Sequence, residues 1–189
     1  MLRAVSRQIQ NWKQEGFNPI PVSINLSANQ FLQANIVSNI FSVFNEYDVS
    51  PELIELEITE SMLIENESMV QHILTQLRQY GIKIALDDFG TGYSSLAYLR
   101  KFKVDTLKLD RSFIRGISDE HDDKEIVNAV ISLGQSLGMA IVAEGVEKEE
   151  EFAVLRTLGI NEVQGYYFSK PVMIDQVDKM LKSRKMERL

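Results

Sequence analysis

The sequence predicts an α/β fold, a parallel (β/α) barrel of which about six units are present. Three observations carry that prediction. Segments of β-type and helical period alternate along all 189 residues. Glycine closes a helix just before the next strand at Gly16, Gly81, Gly138 and Gly159. Polar residues near the strand ends, Asn25, Glu57, Asp87, Lys108, Glu144 and Gln164, follow one another at 32, 30, 21, 36 and 20 residues, each step the length of one βα unit. In a (β/α)₈ barrel the C-terminal strand ends converge on one mouth, whereas a doubly wound sheet scatters them along a line. The barrel is favoured, although six units are two short of closure.

Taken in order, Leu2, Val5, Ile9 and Trp12 recur at helical spacing up to Gly16. Val22, Ile24 and Leu26 alternate with Ser23, Asn25 and Ser27 as a strand. Phe31, Ile36, Ile40, Phe44 and Tyr47 mark one amphipathic helix, and after Pro51 the run Leu53 to Thr59 alternates again, with Glu55, Glu57 and Thr59 on one face. A helix through Met69, Ile73, Leu77 and Tyr80 ends at Gly81. Ile82, Ile84 and Leu86 form a strand that ends in Asp87 and Asp88, and Gly90 and Gly92 make a turn after which Ser94 or Ser95 N-caps a helix through Leu99. Thr106 to Asp110 is a short strand with Lys108 and Asp110 on one face, followed by an acidic, solvated loop from Ser118 to Asp123. Glu125 to Leu137 is helical, Met139 to Ala143 is a near-continuous apolar strand delivering Glu144, and Phe152, Leu155 and Leu158 continue as a helix. Val163 to Phe168 reads as a strand carrying Gln164, and Ile174, Val177 and Leu181 give the final helix.

Composition bounds the function. An apolar share of 44% and a charged share of 25% suit one globular domain. With 27 acids against 20 bases the formal charge is −7, which disfavours contact with a nucleic-acid polymer, and no local basic face offsets it. Zero cysteines exclude disulfides and thiolate metal sites. No apolar run approaches the roughly 18 residues that span a bilayer, so a cytoplasmic domain without a membrane segment is expected.

Two adjacent carboxylates, Asp87 and Asp88, imply a metal, a basic group or a shared proton as partner, unless they are a plain solvated turn. Glu57, Asp87, Asp88 and Glu144 with the amide oxygen of Asn25 are hard oxygen ligands, suited to Mg²⁺ or Mn²⁺ rather than zinc. Four carboxylates suffice for two ions, the arrangement for phosphoester hydrolysis, with Lys108 orienting water or stabilising anionic oxygens. His72 and His121 lie away from the strand ends, which argues against histidine acid–base catalysis. The chemical alternative is an enolase-like barrel in which carboxylates hold Mg²⁺ and a lysine abstracts a proton.

Six motifs narrow the choice. Ser23-Ile24-Asn25-Leu26-Ser27, Glu55-Leu56-Glu57-Ile58-Thr59-Glu60-Ser61, the stretch Asp87 to Leu96, Lys108-Leu109-Asp110-Arg111-Ser112-Phe113, Ala143-Glu144-Gly145-Val146-Glu147 and Gln164-Gly165-Tyr166-Tyr167-Phe168 together resemble the EAL family. That family comprises bacterial cyclic-di-GMP phosphodiesterases and degenerate relatives on a modified TIM-type barrel. The resemblance covers essentially the whole chain. It implies that Asn25, Glu57 and Asp87 hold one metal, with Asp87 bridging to a second ion held by Asp88 and Glu144, and that Lys108 positions the attacking water. It further implies that Glu60 braces the Asp87 to Leu96 loop, which in the family couples the site to a dimer interface, and that Asp110, Glu147 and Gln164 support water, loop and substrate. Asn25, Glu60, Asp110 and Glu147 have an alternative as structural caps or salt-bridge partners. Tyr166, Tyr167 and Phe168 read as core and barrel rim rather than guanine stackers.

The departure is at the amino terminus. The family's Glu-Ala-Leu motif supplies a metal-ligating glutamate and a nearby arginine, and neither occurs in these 189 residues. Residues 1–189 are therefore expected to be an EAL-like domain lacking its first two βα units, since two units would restore the roughly 250 residues of such a barrel. Open edges would call for a homodimer or a partner to cover them. Two functions stay open: a two-metal hydrolase giving linear pGpG, inactive as the isolated chain, or a catalytically silent module that binds cyclic-di-GMP or a protein.

Overall fold

The computed structural model describes residues 1–64, 67–90, 96–118 and 121–186. Helix α1 (Leu2–Gln14) leads to β1 (Val22–Asn25), α2 (Ala28–Phe31) and α3 (Ile36–Tyr47). Next come β2 (Ile54–Thr59), α4 (Glu60–Ile64), α5 (Glu67–Gln79), β3 (Lys83–Phe89) and α6 (Leu96–Phe102). The rest is β4 (Thr106–Leu109), α7 (His121–Leu137), β5 (Ala140–Ala143), α8 (Glu149–Thr157), β6 (Glu162–Val163) and α9 (Ile174–Met186). The six strands pair only with their sequence neighbours, all in parallel, in the order β1-β2-β3-β4-β5-β6. The sheet curls into a half-barrel, an incomplete TIM-type barrel with helices on its outer side, as the alternation predicts.

Period-2 alternation decides which side is wet. Ile54, Leu56 and Ile58 on β2, Ile84 and Leu86 on β3, and Leu107 and Leu109 on β4 are all buried, against helix residues such as Ile9, Phe44, Leu74, Leu77 and Phe102. Their neighbours on the opposite face carry the polar groups, so Glu55, Glu57, Ala85, Asp87, Thr106 and Lys108 point into the half-barrel. Below the mouth, Glu55 accepts from Ser23 Oγ at 2.8 Å and from Thr106 Oγ1 at 2.7 Å. At the opposite rim, Asp105 and Asn161 just ahead of β4 and β6 accept the N–H groups of Ile84 and Ile141 at 2.9 and 2.8 Å, which fixes where those neighbouring strands start.

Several expectations need correction. The single helix through Phe31 and Tyr47 is two, because Ser27 and Gln30 form a capping box on the short α2 and the chain restarts at Asn35, the N-cap of α3. Helix α4 directly after β2 has too few residues to show a period in the sequence. Asp122 and Asp123 belong to the first turn of α7 rather than to a loop, where carboxylates favour the helix N-terminus; residues 119 and 120 lie outside the described residues. Strand β6 stops at Val163. Tyr167 N–H then donates to Val146 O at 3.0 Å and Phe168 N–H to Gly165 O at 3.1 Å, so the chain turns where a strand was expected. Tyr166, Tyr167 and Phe168 are 57%, 38% and 55% exposed, which places them on the rim and not in the core. The proposed caps Ser94 and Ser95 and most of the turn from Thr91 lie outside the described residues.

The outer core should respond to truncation at the strand face it covers. Ile84→Ala, at a fully buried position, is expected to cost about 2–5 kcal/mol, while Lys83→Ala, exposed one residue earlier, should stay within about 0.5 kcal/mol. Urea unfolding of the two variants measures the contrast, and equal losses would place the core elsewhere.

Candidate active site at the strand ends

All six residues singled out by spacing stand at one rim. Asn25 ends β1 and lies opposite Glu57 in the β1–β2 register, and Thr59 lies opposite Asp87 in the β2–β3 register. Glu144 and Gln164 directly follow β5 and β6, held there by continued ladder bonds, Glu144 N–H to Leu109 O at 3.1 Å and Gln164 N–H to Ala143 O at 2.8 Å. Backbone hydrogen bonding thus fixes these two side chains at the mouth before any side-chain contact is made.

Lys108 is the centre of the cluster. Its Nζ lies 2.7 Å from Glu57 Oε1, 2.6 Å from Glu144 Oε1 and 3.4 Å from Asp87 Oδ1. Glu57 and Lys108 stand on β2 and β4 and meet across the intervening β3, where the fully buried Ala85 lies opposite Glu57 and Thr106.

The register of β3 against β4 shifts between Leu86 and Phe89, and Asp88 takes φ 54°. This bulge allows both adjacent acids to serve the mouth, although strict alternation would send them to opposite faces. Aspartate is among the side chains that tolerate this left-handed conformation. One carboxylate oxygen from each of Asp87, Asp88 and Glu144 falls within 4.8 Å of the others.

The electrostatics follow from four acids around one ammonium. Burial alone would lower the Lys108 pKa, but hydrogen bonds to Glu144 and Glu57 and their charges outweigh it, and the group is raised and stays protonated. Burial raises the Glu144 carboxyl against the opposing Lys108 contacts, with Asp87 and Glu57 adding repulsion. Desolvation likewise raises Asp88, helped by Asp87 and Asp110 and opposed by Lys108. One lysine cannot neutralise four carboxylates, and burial with mutual repulsion raises Glu144 although it is the acid nearest the ammonium.

The remaining expected residues divide by neighbourhood. Asp110 Oδ1 accepts from Ser112 N–H at 2.9 Å, capping the 3-10 turn Arg111–Phe113, and its carboxyl is held low chiefly by Ser112. Glu60 is buried in the first turn of α4, whereas residues 91–95 of the loop it was expected to brace lie outside the described residues. Glu147 and Gln164 border a cavity beside Glu144. Glu151, not singled out in the sequence, accepts the N–H groups of Glu147 and Lys148 at 3.0 and 3.1 Å and so fixes the chain that follows Glu144.

The donor set fits a hard divalent cation. Every candidate ligand is an oxygen, and Asp87 Oδ1 is buried without a hydrogen bond among the described residues, a carboxylate oxygen with spare acceptor capacity beside Asp88 and Glu144.

Comparison with known proteins agrees with this geometry. The chain is 40% identical over 168 residues to the cyclic di-GMP phosphodiesterase PdeR of Escherichia coli K12, covering 89% of this chain and 25% of that protein. Among solved structures it superposes with TM-score 0.87 and 38% identity on the phosphodiesterase of Pseudomonas aeruginosa MucR in complex with c-di-GMP, covering 93% of this chain and 71% of that one. It also superposes with TM-score 0.80 and 31% identity on the manganese and c-di-GMP complex of Klebsiella pneumoniae BlrP1, covering 90% and 44%. The chain spans about a quarter of the length of the curated relatives it matches. The model of the EAL domain matches residues 1–171, and the chain belongs to that family.

Proposed function

We propose that this chain carries the catalytic rim of a cyclic-di-GMP phosphodiesterase that hydrolyses the cyclic dinucleotide to linear pGpG. The observation that supports it best is the grouping of Asp87, Asp88 and Glu144 beside a buried Lys108 at the C-terminal strand ends. Asn25, Glu57, Asp87, Asp88 and Glu144 would hold Mg²⁺ or Mn²⁺, which lowers the pKa of bound water and neutralises charge on the phosphoryl oxygens. Protonated Lys108, fixed by two carboxylates, donates toward the attacking water or an anionic oxygen. Asp110 holds the turn after β4, while Glu147 and Gln164 face the substrate side of the mouth. The acids are acceptor-only when ionised, so without cations an anionic phosphodiester would be repelled.

Among the described residues, β1 and β6 each pair on one side only. We infer that further βα units carrying a Glu-Ala-Leu segment, or a second copy of the chain, cover these edges and complete the mouth. The isolated 189 residues then lack one metal carboxylate and one substrate arginine, so water activation and phosphate positioning both suffer.

Calorimetry with Mn²⁺ tests the metal site first. Asp87→Asn should abolish most binding, whereas equal affinity in parent and variant would return the acidic pair to a solvated turn. Mn²⁺ affinity should also fall as pH is lowered, because burial raises the carboxyls of Glu144 and Asp88 from their ordinary values and a proton then competes with the ion. Binding should accordingly release protons, seen as heats that vary with the ionisation enthalpy of the buffer.

Turnover is read by chromatography for the linear dinucleotide in Mn²⁺. Little or none is expected from the 189-residue chain alone, with activity restored when a Glu-Ala-Leu segment is fused upstream or added separately. Robust turnover by the isolated chain, lost in Glu144→Ala, would show that the segment is dispensable. No turnover after completion would favour a silent cyclic-di-GMP-binding module.

A further inference from the structure

The turn that follows β4 reaches over to the bulge in β3. The side chain of Asp110 accepts from Ser112 N–H, its carbonyl accepts from Phe113 N–H at 3.1 Å, and Ile114 and Ile117 just beyond are buried. The turn is thereby fixed to the core, and it sets the half-buried ring of Phe113 against the backbone of Gly90. A Cβ on Gly90 would stand 2.4 Å from both Cε2 and Cζ of that ring, so the ring edge fills the space a side chain at this position would need. Gly90 has φ 96° and Asp88 has φ 54°. Between them Phe89 is buried and lies opposite Leu109 of β4 in the register. A non-glycine residue in such left-handed backbone persists only where its surroundings over-determine it. Here one phenylalanine anchors the segment in the core and a second covers it from the turn after β4.

We propose that Phe113 is a positioning residue for the metal-binding acids: its ring, seated on Gly90, holds the bulge closed and so keeps the Asp88 carboxylate beside Asp87 and Glu144. The inference rests on the metal site proposed above and adds to it a side chain that carries no ligand atom. Strict alternation along β3 would send Asp88 to the face opposite Asp87. The bulge and the left-handed φ bring it back to the mouth. With the cover on Gly90 removed, the exposed Asp88 relaxes toward ordinary extended backbone and its carboxylate leaves the group. Phe113 has neither charge nor side-chain acceptor, so its effect on a cation passes through that backbone. It also ties the acids of β3 to the strand that carries Lys108, because the ring comes from the turn that β4 leads into.

The test is calorimetric titration of the 189-residue chain with Mn²⁺ for the parent, Phe113→Ala, Phe113→Leu and Leu133→Ala, at a temperature where melting curves show each one folded. Leu133 is a partly buried side chain of α7 packed on the core, away from the mouth. Phe113→Ala should lose about tenfold in Mn²⁺ affinity, the loss expected when a group that orients a ligand is removed. Phe113→Leu keeps apolar bulk but lays no flat ring edge over Gly90; it should lose affinity in the same direction, and it carries the test if the alanine variant does not fold. Leu133→Ala should lower the melting temperature and leave Mn²⁺ affinity at the parent value. In metal-free samples the Cα and Cβ chemical shifts of Asp88 should leave the left-handed range in the Phe113 variants and stay within it in Leu133→Ala. Parental affinity in the Phe113 variants, or an equal loss of affinity in Leu133→Ala, overturns this inference alone. Failure of the parent to bind Mn²⁺ overturns the proposed metal site and this inference with it.

Discussion

A single ammonium organises the mouth of this half-barrel. Lys108 Nζ is within 3.4 Å of three carboxylates that come from three other elements of the chain, and no second cation shares the work among the described residues. Taking several charges out of water is costly unless partners offset one another, and loss of one partner leaves the others uncompensated. The charge compensation of Glu57, Asp87 and Glu144 therefore depends on β4 delivering that lysine in register.

Different forces place different residues of the site. Glu144 and Gln164 are held by main-chain ladder bonds beyond the ends of their strands. Asp87 and Asp88 are aimed by a bulge. Glu147 is positioned indirectly, because the buried Glu151 accepts its backbone N–H. The mouth is thus rigid where backbone hydrogen bonds define it and adjustable where it depends on charge, which is the part that a cation would reorganise.

The alternation of strands and helices, and the common rim of Asn25, Glu57, Asp87, Lys108, Glu144 and Gln164, were legible because a parallel sheet with one unit per step places strand ends at one end. Local competition was harder to read. The capping box of Ser27 and Gln30 divides a helix whose apolar period continues across the break, and the turn at Gly165 ends β6 although the aromatic residues beyond it have high strand preference. Asp110 shares a face with Lys108 in the sequence, but its carboxylate is engaged by the turn that begins there. Glu151 escaped notice for another reason: its importance comes from what stands beside it in space, the N–H groups of Glu147 and Lys148, and that produces no periodic pattern.

Lys108 also has a place in time. Because each strand pairs only with its sequence neighbours, the sheet can grow in the order in which a ribosome supplies it. When β2 and β3 have emerged, Glu57 and Asp87 face the same side with no lysine between them. Residue 108 brings the first neutralising charge, and Glu144 joins more than thirty residues later, onto an ammonium already occupied. A nascent chain paused between β3 and β4 would hold an acidic, half-formed face, open to any divalent cation in its surroundings before the protein's own counter-ion arrives.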